Sequence, residues 1–221
     1  IRDSSTSRGL GDVYKRQVKA LFTVFKEEKI KKLSLAFFIY FIAFTGLTNI
    51  LIFFLQESLN WTTKASSGTL VVVGIIAIIV QGGLIGPLVK QFGEMRLTLI
   101  GSGFILVACA LLITAPKENA TINIYSAVSF LAVGAGLITP TLRALISKKL
   151  DIDKQGSILS NLQGLQSLGG VLGIAMAGRV YDSFGPKSPF IAGSVILLFM
   201  IYLIAEGKNN NSFNNQNSKV S

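Results

Sequence analysis

The sequence predicts an all-α membrane protein with six transmembrane helices arranged as two inverted three-helix repeats. Half of the 221 residues are hydrophobic, only 14% are charged, and the apolar residues are concentrated in six long segments. Soluble domains carry about a quarter charged residues, so a water-soluble core does not fit this composition. The net charge of +10 comes from Lys and Arg at the edges of the apolar segments, and no nucleic-acid partner is expected.

Each apolar segment approaches the length that a helix needs to cross a bilayer. About 20 residues span ~30 Å of hydrocarbon, where only helices and closed barrels satisfy their own backbone groups. The interiors of the segments contain no Asp, Glu or Lys. The fifth segment is the most polar, because Ser, Asn and Gln are frequent in its first half. The predicted spans are 33–56, 66–89, 97–115, 122–146, 156–178 and 188–205.

The two ends of the sequence differ from the segments between them. Residues 1–17 are polar, rich in Gly and Ser, and begin with Ile, so we expect a non-native linker or adapter scar on a fragment or processed chain. Residues 18–32 are basic and amphipathic, which predicts a helix on the cytoplasmic membrane surface. Residues 206–221 are rich in Asn, which predicts a disordered tail.

Lys and Arg are distributed unequally between the two sides of the predicted bundle. After residue 17, one side holds 13 of them, and the other side holds four: Lys64, Lys117, Arg179 and Lys187. Cytoplasmic loops of membrane proteins carry the excess of positive charge. We therefore expect a multi-pass protein of the plasma or inner membrane with both termini in the cytoplasm.

Residues 33–115 and 116–205 are predicted to be two related three-helix repeats. The segment GPLVKQFG at 86–93 recurs 92 positions later as GRVYDSFG, and Gly46-Leu47 recurs 90 positions later as Gly136-Leu137. Three spans is an odd number, so the two copies face opposite ways across the bilayer. Inverted repeats of this kind are typical of secondary transporters.

Four segments carry a family resemblance: GPLVKQFGEMRL (86–97), FLQESLNW (54–61), GAGLITPTLRALIS (134–147) and QGSILSNLQGLQSLGGVLG (155–173). Together they resemble the C-terminal six-helix half of a major facilitator superfamily transporter, most nearly its drug:proton antiporter branch of tetracycline and multidrug efflux proteins. The resemblance covers about 33–205. It implies alternating-access transport of a small organic solute. No cofactor is expected, and a proton gradient is the expected driving force.

The resemblance also implies what surrounds this chain. Complete members have two such halves, so we expect an N-terminal six-helix half as partner, with a homodimer as the alternative. The bilayer and a small-molecule substrate are the other expected partners. Six residues of the loop motif are expected to serve conformational change, although Lys90 stands where the family's N-terminal copy usually has Asp. They are Gly86, Lys90, Gly93, Arg96, Gly178 and Gly185.

A polar stripe follows one face of the first span. Thr45, Asn49 and Gln56 recur at helical spacing, and Phe53 lies on the same face. Polar groups in hydrocarbon are costly unless they face a protein interior or a water-filled cavity. The stripe is predicted to line the substrate pathway, with Phe53 stacking on the substrate. The alternative is that these side chains only join helices.

The fifth span offers Gln163 and Gln166 near mid-depth. Glutamine supplies donors and acceptors, which suits a polar or zwitterionic ligand. The alternative is a purely structural role, because Gly169-x-x-x-Gly173 has the spacing of close helix packing. Arg143, near the end of the fourth span, is predicted to extend to the cytoplasmic interface, with a salt bridge to Asp151 or Asp153 as the alternative.

Several function classes are excluded or disfavoured. The sequence has no His and one Cys, which removes serine–histidine and cysteine–histidine catalysis and histidine metal sites. We expect neither an enzyme nor a metal protein. No carboxylate lies inside a span, so a proton-coupling acid is expected in the N-terminal half. A six-span channel and a non-transporting membrane scaffold remain the alternatives.

Overall fold

The computed structural model describes residues 22–116 and 120–217. These residues form six long helices and no strand, which confirms the predicted all-α class. The helices are α1 (Lys31–Leu59), α2 (Thr63–Phe92), α3 (Glu94–Ile113), α4 (Thr121–Ser147), α5 (Ile152–Phe184) and α6 (Ser188–Asn217).

Five of the described helices are long and apolar enough to cross a membrane: α1, α2, α3, α4, and α6 between Ser188 and Glu206. α5 is 33 residues long, but its Ser, Asn and Gln residues make it too polar to qualify by composition. It nevertheless packs along α1, which is itself one of the five apolar helices. That α5 spans the membrane stays a prediction, supported by its length and by this neighbour.

The segments flanking the bundle differ from the sequence-based expectations. Residues 22–32 do not form a surface helix: a single 3₁₀ turn covers Phe22–Phe25, and α1 begins at Lys31. Val24 and Ile30 are fully buried, so this segment packs against the bundle. At the other end the helical backbone of α6 continues to Asn217, where a disordered tail was expected. The predicted scar at 1–17 and residues 18–21, 117–119 and 218–221 lie outside the described residues.

The contacts made by α1, α2 and α3 are equivalent to those made by α4, α5 and α6. α1 packs against α5 and α6, and in the same way α4 packs against α2 and α3. Exchanging α1 with α4, α2 with α5 and α3 with α6 maps these pairs onto one another. The contacts of α3 with α6 and of α1 with α4 map onto themselves. Two three-helix repeats related by a two-fold axis would produce this pattern.

Matching glycines make the first pair of equivalent contacts. A Cβ at Gly46 in α1 would lie 2.8 Å from the carbonyl oxygen of Gly173 in α5. A Cβ at Gly136 in α4 would lie 2.9 Å from Cγ1 of Val80 in α2. Gly46 and Gly136 are the residues that the sequence comparison aligned at an offset of 90. Each lets α1 or α4 approach a helix of the other repeat closely.

The neighbouring leucines make the second pair of equivalent contacts. Leu47 in α1 lies under Gly193 of α6, where a Cβ would be 2.8 Å from Leu47 Cδ2. Leu137 in α4 lies under Gly101 of α3, where a Cβ would be 3.1 Å from Leu137 Cβ. Gly101 and Gly193 are 92 positions apart, which is the offset of the loop motifs. The same residue types therefore build the same crossing in both repeats.

α2 bends at a π-helical segment, Val80–Leu84, that interrupts its α-helical parts Thr63–Ile79 and Ile85–Phe92. Pro87 has no N–H to donate to the carbonyl of residue 83, and a π turn before it accommodates the missing bond. Gly82 and Gly86 make no close helix contact within the described residues, because no described atom lies within 4 Å of a Cβ at either residue. Val80, on the other side of α2, makes the contact with α4 instead.

Candidate functional site

Arg143 is the centre of a polar cluster between α4 and α5. Its Nη2 donates to Oε1 of Gln163 at 2.7 Å and also to Oε1 of Gln166. Both glutamines lie on α5 one helical turn apart, so one guanidinium nitrogen reaches both amide oxygens. The structure thus brings the two predicted α5 site residues together, through an arginine that was not included with them.

α1 provides the third wall of this cluster. The guanidinium carbon of Arg143 lies 5.9 Å from the centre of the Phe37 ring, which is within the range of a cation–π interaction. One turn farther along α1, the hydroxyl of Tyr40 lies 3.3 Å from that of Thr139 on α4. Phe37 and Tyr40 are fully buried. Phe37 therefore packs beside the guanidinium, and Tyr40 joins α1 to α4 one turn away.

The alternative salt bridge from Arg143 to Asp151 or Asp153 does not form in the described residues, whereas extension of Arg143 to the cytoplasmic interface stays a prediction. Its guanidinium contacts α5 and α1. Asp151 and Asp153 are exposed at the start of α5. Two amide oxygens accept from one guanidinium nitrogen, Nη2, and the Phe37 ring lies beside the group.

The polar stripe of α1 lies beside the polar face of α5. A Cβ at Gly170 would lie 3.6 Å from the side chain of Thr45, which places Thr45 one turn beyond Gln166. Asn49 is exposed and donates through Nδ2 to the carbonyl oxygen of Thr45 at 2.9 Å. Gln56 is half-buried, and Phe53 is 56% exposed. In the described residues, Asn49, Phe53 and Gln56 form no hydrogen bond with the arginine cluster, and they extend the stripe towards the end of α1.

This polar face is open in the described part of the chain. Asn49 and Phe53 on α1, and Gln163 and Ser167 on α5, are all exposed. Between α4 and α5, beside the cluster, a cavity of about 300 Å³ is lined by Arg143, Ala144, Ser147 and Leu159. An open groove with a fixed cation and several amides can hold a small polar solute.

The close packing predicted for Gly169 and Gly173 is confirmed. A Cβ at Gly169 would lie 3.1 Å from the carbonyl oxygen of Phe38, and one at Gly173 would overlap that of Ile42. These glycines pack on α1, whereas Gln163 and Gln166 face Arg143. The structural role therefore holds for the two glycines, and ligand contact by Gln163 and Gln166 stays a prediction.

The loop-motif residues lie in the C-terminal parts of α2 and α5 and in the first turn of α3, away from the cluster. Gly93 and Gly185 have φ values of +76° and +89°, and each ends its helix in a backbone conformation that favours glycine. Lys90 and Arg96 are exposed, and so is Gly86, while Gly178 is half-buried. Next to the loop, Glu94 pairs with Lys148 of α4. That ion pair was not predicted.

Other ion pairs join helix ends on the predicted cytoplasmic side. Lys32 contacts Glu206 at 2.7 Å, which links the start of α1 to α6. Lys154 contacts Glu27 at 2.7 Å, and the pKa of the Glu27 carboxyl is lowered because Lys154 donates a hydrogen bond to it. In the same contact, the carboxylate raises the pKa of the Lys154 ammonium. The described residues contain no group of three or more His, Cys, Asp or Glu that could hold a metal.

Comparison with known proteins agrees with this architecture. The family model described as "Major Facilitator Superfamily" matches residues 2–174. The chain is 26% identical to the Escherichia coli "Tetracycline resistance protein, class C" over 59% of this chain and 32% of that protein. It is 27% identical to the class H protein of Pasteurella multocida over 59% of this chain and 32% of that protein.

A human protein is similar over a longer stretch. "Hippocampus abundant transcript-like protein 1" is 22% identical over 84% of this chain and 40% of that protein. The chain thus spans less than half the length of each of these curated relatives. Because the family model covers most of the sequence, the chain belongs to the major facilitator superfamily.

Proposed function

We propose that this chain is the C-terminal half of a secondary transporter that exports a small organic solute by alternating access. The observation that carries the proposal is the open polar face made by α1 and α5 in an otherwise apolar bundle. Thr45, Asn49 and Gln163 lie along this face, and Arg143 is fixed beside it. Polar side chains at such a place are expensive in hydrocarbon and favour a water-filled pathway.

The remaining half of the pathway is proposed to come from a second six-helix unit. Membrane transporters of this kind bind the substrate between two halves, near the middle of the bilayer. The apolar side chains of α2 are broadly exposed, with Val71 62% and Ile78 74% accessible. An N-terminal half covering both α2 and the polar face accounts for this exposure, and a second copy of this chain is the alternative.

Proton coupling is proposed to use a carboxyl group of the companion half. In the described residues, the acidic groups close to α1 and α3 are engaged at helix ends. Glu57 accepts a hydrogen bond from the Tyr181 hydroxyl at 2.6 Å, and Glu94 pairs with Lys148. A coupling acid must exchange protons as the substrate binds, which suits a carboxyl group in the cavity better than these groups.

The orientation proposed for the bundle has both termini in the cytoplasm. The excess of Lys and Arg lies on the side that holds the Glu27–Lys154 and Lys32–Glu206 ion pairs. This asymmetry is the usual signal of the cytoplasmic face. Efflux, rather than uptake, is supported by the bacterial relatives, which are tetracycline resistance proteins.

Transport is tested with the complete gene product in proteoliposomes. Tetracycline flux should rise when a pH gradient is imposed and fall to the leak rate when a protonophore removes the gradient. Asn49→Ala, on the polar face, should slow flux about tenfold, because a cavity hydrogen bond is lost. Ile78→Ala, on the apolar face of α2, is the matched control. Flux at channel rates, or flux of a panel of organic solutes that never exceeds empty liposomes, would contradict the proposal.

A further inference from the structure

Arg143 fixes which amide atoms of Gln163 and Gln166 face the inside of the arginine cluster. A guanidinium is a donor only, so each glutamine must turn its amide oxygen towards Arg143. This is the arrangement in the structure, where Oε1 of Gln163 and Oε1 of Gln166 both accept from Nη2. The acceptors of both amides are thus used within the cluster.

The groups left without a partner in the cluster are donors. The two Nε2 amide groups have no acceptor in the described residues, and neither does the rest of the guanidinium fork. Arg143 itself lines the cavity between α4 and α5. A guanidinium flanked by further N–H donors binds an acceptor-rich ligand, and a carboxylate is the usual partner of an arginine fork.

The charge of Arg143 is also uncompensated. In the described residues no acidic side chain forms a salt bridge with Arg143. Glu27, Glu28, Glu94 and Glu206 pair with lysines and Glu57 accepts from Tyr181, while the exposed Asp151, Asp153 and Asp182 form no salt bridge. The neutral amides leave the full positive charge of the guanidinium. A cation between packed helices is stabilised by an anion in contact with it.

We propose that the Arg143–Gln163–Gln166 cluster is a binding site for an organic anion, in which a carboxylate or comparable acidic group pairs with Arg143. The cavity of about 300 Å³ beside Arg143, lined also by Ala144 and Leu159, receives the apolar part of the solute. The inference rests on the proposed function because it names the substrate class of the same pathway. It replaces the polar or zwitterionic ligand expected from the glutamines alone.

The test compares two ligands of nearly equal shape, 1-naphthylacetate and its neutral amide 1-naphthylacetamide. Binding to the complete gene product in nanodiscs is measured by equilibrium dialysis. The wild-type protein should bind the carboxylate about tenfold to a hundredfold more tightly than the amide, as charge-assisted hydrogen bonds predict. Arg143→Gln should remove this preference, and Arg143→Lys should keep part of it, because it retains the charge without the fork.

A second variant tests the site while Arg143 is kept. Gln166→Glu has almost the same shape and places a carboxylate on Arg143, so it should abolish the preference for 1-naphthylacetate while the bundle stays folded. Arg179→Gln is the matched control, since Arg179 is an exposed arginine at the other end of α5, and it should leave the preference unchanged. Thermal unfolding of each variant shows whether its binding is measured on folded protein.

The outcomes separate this inference from the proposed function. Equal binding of the two ligands by the wild-type protein, or a preference that survives both Arg143→Gln and Gln166→Glu, overturns the anion site even if tetracycline is transported. A carboxylate of the companion half that neutralises Arg143 would give the first of these results. A preference that disappears in both variants supports the site even if no transport is measured in proteoliposomes.

Discussion

α2 and α5 hold equivalent places in the two repeats but have different surfaces. Each packs mainly on one helix of the other repeat, α2 on α4 and α5 on α1. The exposed face of α2 is apolar, with Val71 and Ile78 prominent, whereas that of α5 carries Gln163 and Ser167. The helix packing is therefore duplicated in the two repeats, whereas the polar side chains that could bind a solute are not. Small residues at helix crossings repeat, and the polar cluster occurs once.

The largest effect is expected at the crossing between α1 and α5. Gly173→Ala places a Cβ against the carbonyl oxygen of Ile42, which only a backbone shift can relieve. We expect the free energy of unfolding to fall by about 3 kcal/mol, measured by denaturant titration in detergent micelles. Gly74→Ala in α2 is the control, because no described atom lies within 4 Å of a Cβ there. It should raise stability by up to about 1 kcal/mol. Equal losses for the two variants would contradict the comparison.

The sequence was sufficient for the scaffold because the scaffold depends on local patterns. Apolar length predicted the helices, and the Gly46-Leu47 and Gly136-Leu137 repeat predicted residues that make equivalent contacts. The GxxxG spacing at Gly82 and Gly86 of α2 shows the limit of such patterns, since it indicates that a helix can be approached closely but not which neighbour approaches it. No described atom lies within 4 Å of a Cβ at Gly82 or Gly86, whereas Val80 contacts Gly136 of α4.

The site was predicted in part. Gln163, Gln166 and Thr45 were identified because polar residues are rare in apolar spans, and the structure places them along neighbouring helices. Arg143 was predicted to extend to the cytoplasmic interface, and its contacts with α5 and α1 were not predicted. Its partners Phe37 and Gln166 could not be read from the sequence, because 106 and 23 positions separate them from Arg143. Only the packing of α1, α4 and α5 brings them together.

The second prediction concerns water at the two faces. Ser167→Cys on α5 should react with a membrane-impermeant maleimide at least tenfold faster than Ile78→Cys on α2, in proteoliposomes of the complete gene product. The reaction requires a hydrated thiolate, and we expect water along α5 but protein or lipid along α2. Ile78 is 74% exposed in the described structure. If accessibility in this chain alone decided the rate, the cysteines at positions 78 and 167 would both be labelled fast. The native Cys109 is fully buried and supplies a low background. Comparable rates would remove the proposed difference between the faces.

A smaller effect is expected at the far end of α5. Tyr181→Phe removes the 2.6 Å hydrogen bond from the Tyr181 hydroxyl to Glu57 of α1. The pair is partly exposed, so the free energy of unfolding should fall by only about 0.5 kcal/mol. Tyr202→Phe, on an exposed tyrosine of α6, is the control and should change nothing measurable. A loss larger than that of Gly173→Ala would mean that end contacts, and not the crossing, hold α5 in place.

The smallest effect is expected where the segment before α1 is tied to the start of α5. Lys154 lowers the pKa of Glu27 below its ordinary value of 4.5, so Glu27 stays ionised in the folded protein at pH values where it would be protonated in the unfolded chain. The contribution of this pair is therefore complete well above pH 4.5 and is lost as the pH falls through the lowered pKa of Glu27. The raised pKa of Lys154 sets the opposite limit: the contribution is lost on the alkaline side, above its ordinary value of 10.5.

Spin labels at Lys29→Cys and Ser157→Cys, both exposed positions, report on this tie. The distance distribution should be narrow at pH 7 and should broaden when the pH is taken below 4.5, the ordinary pKa of a glutamate. Glu27→Gln should broaden it already at pH 7 and remove the pH dependence, while Lys90→Gln at the end of α2 should have no effect, because Lys90 has no acidic partner in the described residues. High salt should act like Glu27→Gln, since the pair is exposed and screened. A distance distribution that Glu27→Gln leaves unchanged would contradict this prediction, because it would show that the buried side chains of Val24 and Ile30 hold the segment without the ion pair. The difference between α2 and α5 would then be confined to the exposed faces of the two helices.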